Sequence, residues 1–267
     1  SKTTIFSDES NHASIIDGCR LSDANIRIFR HNDMEHLLEL LRNVKGKKIL
    51  VTEGIFSIEG DMAKLKSICK LAKEFGIFTI VDDAHGDFVF GNRASGTPSE
   101  LSVNNLIDVH ISSLSKALGC FGGYVACTEM VRDYFINRSR QFIFTSAIPT
   151  HLCNSALVGI GIAKKGILQR ELFKNVKMLH NGLKKIGYDI GNSSSQIIPI
   201  HIGSEKLATK FADILLQKGI FVHPMRFPTV KRGSAVLRLS LSASHTKKQL
   251  GYALDELEKL GKEHKVI

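Results

Sequence analysis

Two hydrophobic periods alternate along the first half of the chain. KKILVTEG (47–54) is a short β-rich run that ends in polar residues. DMAKLKSICKLAKEFG (61–76) then repeats apolar residues at Met62, Leu65, Ile68, Leu71 and Ala72, the spacing of one helix face, and Gly76 predicts the stop. IFTIVDDAHG (77–86) is apolar until two carboxylates appear, which predicts a strand buried on both faces. DVHISS (108–113) and GYVACT (123–128) predict two further strands, and TTIF predicts one at the very start. No cap or helix precedes TTIF, so the chain reads as beginning in mid-fold. Strands alternating with amphipathic helices predict an α/β layer on a mostly parallel sheet flanked by helices.

The texture changes after Pro149. Residues 152–186 read as a long helix broken near Gly166. A strand at 197–202, a helix at 205–218, strands at 220–223 and 235–241 and a helix from Thr246 follow, which together predict a smaller C-terminal α+β domain. The expected boundary lies near residue 160, giving a large domain over 1–160 and a small one over 161–267.

Composition narrows the class. The 267 residues are 43% hydrophobic and 23% charged, the balance of an ordinary globular sequence. No apolar run approaches the roughly 18 residues of a membrane helix, and the first residues lack a signal-peptide pattern. Five cysteines (Cys19, Cys69, Cys120, Cys127, Cys153) without a C-x-x-C argue for a reducing, cytoplasmic compartment. The net charge of +10 suits an anionic partner such as an acyl-CoA or an acidic carrier protein. Its lysines are dispersed with no interleaved aromatics, so they read as solvated helix faces; neither nucleic acid nor membrane is an expected partner.

Chemistry concentrates at three strand ends, where an open parallel sheet faces its binding crevice. These are Glu53, the Asp82-Asp83-Ala84-His85-Gly86 run, and Ser112 through Gly119 (SSLSKALG). Either aspartate could simply cap the following turn. Lys116, among small residues and followed by Gly122-Gly123, is placed for a desolvated Schiff base, with Ser113 and Ser115 as hydroxyl donors beside a phosphate. Ser113-x-x-Lys116 also matches the S-x-x-K of acyl-serine enzymes, although the companion motifs are absent and that motif opens a helix. Asp82, Asp83 and His85 form a weak candidate metal cluster.

SDESNHASIIDGCRLS, FRHNDMEHL, VTEGIFSIEGDMAKL, VDDAHG, SLSKALGCFGG, RQFIFTSAIP and FPTVKRGSAVLRLSLSASHT occur in one order from end to end. In that ordered set the chain resembles the α-oxoamine synthases, fold-type-I pyridoxal 5'-phosphate (PLP) enzymes that join an amino acid to an acyl thioester with loss of carbon dioxide. The resemblance implies that Lys116 holds the cofactor and moves the α-proton, that Asp82 pairs with the pyridine nitrogen, and that His85 bonds the phenolic oxygen. It implies that His12 stacks on the ring, that Ser113 lies near the phosphate, and that Thr145 reaches the phosphate of a neighbouring subunit, which requires a homodimer. Arg238 is expected to clamp the amino-acid carboxylate, with Glu53 and Ser57 lining the pocket. DDAHG, SKALG and FPTV followed by LRLSLSASHT lean toward members that join L-alanine to a pimeloyl thioester in biotin synthesis. The Phe227-Pro228 pair leans slightly toward those that join glycine to an acetyl thioester. A non-catalytic subunit on the same fold is disfavoured by the retained Lys116, Asp82 and His85.

Two departures from the family pattern are expected to matter. Asp87-Phe88 stand where many relatives have a small residue and glycine, which puts the loop after His85 in doubt. The stretch that precedes NHAS in relatives is absent, so a truncated chain without bound cofactor is expected.

Overall fold

The structure, a computed structural model, describes residues 3–267. It divides into two compact units, 1–56 with 63–166 and 57–62 with 167–267. The division at Gly166 thus carries a short earlier stretch of chain, 57–62, into the second unit.

In the first unit the strands β1 (Thr4–Asp8), β2 (Asn25–Phe29), β3 (Lys48–Glu53), β4 (Ile77–Asp82), β5 (Val109–Ser113) and β6 (Gly123–Cys127) form one sheet in the order β2-β1-β3-β4-β5-β6. All neighbours run parallel except β5 and β6, which form an antiparallel hairpin. The helices α1 (Ala13–Leu21), α2 (Met34–Arg42) and α3 (Leu65–Phe75) connect the parallel strands, as crossovers require. Phe6, Leu50 and Val81 from the sheet pack with Leu37, Leu41, Leu65 and Ile68 from α2 and α3. The short α4 (Gly96–Glu100) precedes β5; α5 (Glu129–Arg138), α6 (Arg140–Ile143) and α7 (Thr150–Ala163) follow β6.

The second unit holds α8 (Ile167–Ile186), β7 (Ile197–Gly203), α9 (Glu205–Gln217), β8 (His223–Met225), β9 (Ala235–Ser240) and α10 (Lys247–Glu263). Its three strands are antiparallel in the order β7-β9-β8. Leu179 and Leu183 of α8, Phe211 and Leu215 of α9 and Leu257 of α10 close its core over Ile198, Ile200 and Leu237. Ser204 caps α9, and Thr246 with Gln249 makes a reciprocal capping box on α10. A mostly parallel sheet followed by a small antiparallel one is the layout that the family resemblance implies.

The structure corrects several sequence-based expectations. The helix expected over 61–76 begins only at Leu65, because the Ala63 N–H bonds back to the Gly54 carbonyl and holds the preceding chain in a turn. The strand expected at 220–223 starts at His223: the Ile220 N–H is used to close the C-terminus of α9 on Leu215. One face of β4 is fully buried and the other half-buried, with Phe78, Ile80 and Asp82 on it and Ile80 packed against the cluster of Ile5 and Val51. The break expected near Gly166 is present, with that glycine at φ +68° between α7 and α8.

Candidate active site

Parallel pairing brings the expected chemistry to one edge. Glu53 and Asp82, the last residues of β3 and β4, are register partners, and Asp82 stands opposite Ile111 of β5. Two residues beyond Ile111, Ser113 ends β5 opposite Gly123. That pair closes a hairpin loop over 114–122, in which the Leu114 N–H bonds the Gly122 carbonyl and the Cys120 N–H bonds the Leu114 carbonyl. Lys116 sits in this loop. It is exposed rather than buried, because Ser115 and Ala117 beside it are exposed too and the loop runs past the end of the sheet.

The two aspartates of DDAHG have separate tasks. Asp82 is half-buried and accepts from the Ala84 N–H at 3.0 Å, so it does cap the turn that carries His85. Asp83 is fully buried and accepts from both the N–H and the hydroxyl of Thr97. Burial pushes its carboxyl up to about 7, partly offset by the Thr97 bonds. Gly96 makes room for it at φ +84°: a Cβ there would lie 2.1 Å from Asp83 Oδ2.

The loop after His85 keeps a glycine-like shape without a glycine. Phe88 takes φ +65°, in the left-handed region. Asp87 is buried and accepts from His110 Nε2 at 2.7 Å and the Tyr124 hydroxyl at 2.6 Å. Burial lowers the affinity of His110 for its proton, but the Asp87 bond and nearby carboxylates outweigh this and leave it above the ordinary histidine value. The metal-type grouping expected from Asp82, Asp83 and His85 is instead Asp83, Asp87 and His110, whose ligand atoms lie within 4.8 Å of one another. Asp83 is held by Thr97, and Asp87 by His110 and Tyr124, which accounts for the cluster as a hydrogen-bond network.

His12 is exposed and is the N-cap of α1: its Nδ1 accepts from the Ser14 N–H. It follows Asn11, which sequence reasoning passed over. Buried Asn11 donates to Ser7 Oγ and the Val51 carbonyl and accepts from the Glu53 N–H, joining the ends of β1 and β3. That is where the strand order changes direction, the usual place for a crevice in such sheets. The Ser113 and Ser115 hydroxyls lie 2.7 Å apart. Ser113 closes a strand, so it does not have the helix-opening setting of an acyl-serine nucleophile. Thr145 lies in an exposed stretch after α6 and has no described contact with the residues above.

In the second unit Arg238 and Ser57 come together. Arg238 Nε donates to the Ser57 carbonyl at 2.6 Å and Nη1 to Ser240 Oγ at 2.8 Å. Burial lowers the guanidinium's proton affinity. Two of its five N–H donors make these bonds.

The fold and this edge define the aminotransferase class I and II architecture, and the model of that family matches residues 1–257. The 8-amino-7-oxononanoate synthase of Thermoanaerobacter pseudethanolicus is 41% identical over 98% of this chain and 68% of its own length. Serine palmitoyltransferase from S. paucimobilis, solved with a bound PLP–myriocin aldimine, superposes with a TM-score of 0.95 at 30% identity, covering 99% of this chain and 68% of that one. The 8-amino-7-oxononanoate synthase of Francisella tularensis gives 0.85 at 30% identity, over 99% and 77%. The chain belongs to the α-oxoamine synthase family, whose members use PLP.

The residues fit that cofactor. An amine (Lys116), a carboxylate (Asp82), imidazoles (His85, His12) and hydroxyls (Ser113, Ser115) match an aldehyde, a ring nitrogen, a phenolic oxygen and a phosphate. Gly119 in the same loop has φ +59°, and a Cβ there would meet nothing within 4 Å, which leaves space beside Lys116.

Proposed function

We propose that this chain makes 8-amino-7-oxononanoate, the product that names its relatives at about 40% identity, from L-alanine and a pimeloyl thioester of CoA or a carrier protein. The observation that carries this reading is the gathering of Glu53, Asp82 and the Ser113–Lys116 loop at the carboxyl ends of β3, β4 and β5. PLP, when bound, supplies an electron sink for a carbanion at the amino acid's α-carbon. Lys116 would hold the cofactor and move a proton at that carbon. Asp82 would bond the ring nitrogen as an ion pair, His85 would donate to the phenolic oxygen and His12 would cover a ring face. Ser113 would face the phosphate. Arg238, steadied by Ser57, would fix the substrate carboxylate, and Glu53 would line the pocket. A carbon–carbon bond then forms as the thiol leaves, the carboxylate departs as carbon dioxide, and Lys116 returns the proton.

A homodimer is part of the proposal. Met130, Tyr134, Phe142, Phe144, Leu157 and Val158 are each 62–82% exposed, more apolar surface in one stretch than a lone globular chain tolerates. Thr145 lies in the same stretch, suited to reach a second copy's cofactor phosphate. Light scattering should report a dimer; a monomer would remove Thr145 from the site. Among the described residues no helix is long and apolar enough to cross a membrane. The five cysteines are all free, which supports a cytoplasmic setting.

The deciding experiment loads the chain with PLP and offers alanine, glycine or serine with pimeloyl-CoA or acetyl-CoA. Alanine with pimeloyl-CoA should release carbon dioxide and free thiol. Turnover of glycine with acetyl-CoA instead would move the chain to another branch of the family, and failure to take up PLP at Lys116 would sink the enzyme reading.

A further inference from the structure

Asp87 occupies an unusual position between two pieces of the site. It lies two residues after His85, in the turn that follows β4, and its backbone N–H bonds the Asp83 carbonyl. One carboxylate oxygen, Oδ2, receives both the His110 Nε2–H and the Tyr124 O–H. His110 belongs to β5 and Tyr124 to β6, the two strands of the hairpin whose loop carries Lys116. In the ladder Tyr124 stands opposite Ser112, which shares a face of β5 with His110. The two rings therefore stack with planes 10° apart and offer their donors to the same point. Both strands of the hairpin are thus tied to the turn through one oxygen of a buried side chain.

We propose that Asp87 is a positioning residue: its carboxylate locks the turn that carries His85 to the hairpin that carries Lys116, so that the two move as one body. The inference deepens the functional reading above and rests on it for its purpose, though the coupling itself is a property of the chain alone. Other groups facing the cluster fit the role. Asp83 from the same turn is held by Thr97, and Asp82 adds negative charge near His110, which keeps that ring a donor. A carboxylate accepting from a cationic donor is among the stronger links available to a buried turn.

The test is hydrogen exchange on the full chain without cofactor, comparing Asp87→Ala, Asp87→Asn and Tyr124→Phe with the wild type. Asp87→Ala removes both bonds and should speed exchange about tenfold or more in the turn over 84–90 and in the loop over 114–122 together. The strands of the second unit should keep their wild-type rates, which a general loss of stability would not allow. Asp87→Asn keeps an oxygen that both donors can reach and should restore most of the protection. Should Asp87→Ala fold poorly, Tyr124→Phe cuts one bond only and should loosen the same two segments to a lesser degree. Loosening confined to one segment, unchanged exchange in both, or an Asn variant no better than Ala would overturn the proposal. A parallel absorbance titration with PLP keeps the two readings apart. If the wild type takes up no PLP, the enzyme assignment fails while the exchange result still decides the coupling. If it does, Asp87→Ala should weaken uptake about tenfold and Asp87→Asn much less.

Discussion

The Asp83 carboxylate accepts the backbone N–H and the hydroxyl of Thr97, each at 2.7 Å, in a site closed to water. With two donors but little solvation, the folded chain holds a proton there up to about pH 7, whereas the unfolded chain releases it near its ordinary 3.8. Between those values unfolding releases a proton, so stability falls as pH rises. His110, raised above its ordinary 6.5, acts in the same direction: its contribution is complete below that value and lost as pH climbs through its folded value. The urea midpoint should therefore drop from about pH 4 to about pH 7 as Asp83 loses its proton, and fall further above that as His110 does. Asp83→Asn should flatten the lower part of that slope, and an unchanged slope in this variant would contradict the assignment.

Lys116→Ala should leave folding within about 0.5 kcal/mol of wild type, since the side chain is exposed. It should abolish the visible absorbance that PLP gains on binding and lower condensation at least a thousandfold, or about 4 kcal/mol. Retained turnover in this variant would remove Lys116 from the chemistry.

Asp82→Asn keeps an oxygen to accept from the Ala84 N–H, so the turn should persist. Loss of the negative charge opposite the ring nitrogen should cut kcat about a hundredfold with little change in thermal midpoint. A proportionate loss of stability would instead make Asp82 a turn cap alone.

Arg238→Lys should raise the KM for the amino acid about tenfold or more, because an ammonium cannot bond the Ser57 carbonyl and grip a carboxylate in parallel. A change in kcat with KM untouched would point to a different role.

Gly96→Ala and Gly119→Ala both place a side chain at positive φ, +84° and +59°. The first also drives a Cβ to 2.1 Å from Asp83 Oδ2, while the second meets nothing within 4 Å. Chemical denaturation should show a loss of about 1 kcal/mol at Gly119 and clearly more at Gly96. Equal losses would mean that the Asp83 pocket yields.

Much of the framework was legible because β3, β4, β5 and β6 are apolar runs that end abruptly in polar residues. β2 was not, since its apolar Ile26 and Ile28 are exposed, and no burial signal separates them from loop. Within the site, local sequence left Asp82 and Asp83 as equals. The family resemblance singled out Asp82, and the fold separates the two physically by putting Thr97 and Gly96 against the second. Lys116 was expected to be buried because its neighbours are small, yet small residues also mark an exposed loop. The Asp87–His110–Tyr124 network joins residues 23 and 37 positions apart and leaves no periodic trace.

The stretch 57–62 has a consequence for dissecting the molecule. Gly60 lies so close to Ile197 that a Cβ would sit 2.0 Å from its carbonyl oxygen, its own carbonyl receives the Ser194 N–H, and Glu59 approaches His201. An excised fragment beginning at 167 would therefore lack a strap that the ribosome makes more than a hundred residues earlier. Cloned by itself, the carboxyl-terminal part would lose these contacts, and a graft restoring those six residues would be needed to recover its native surface.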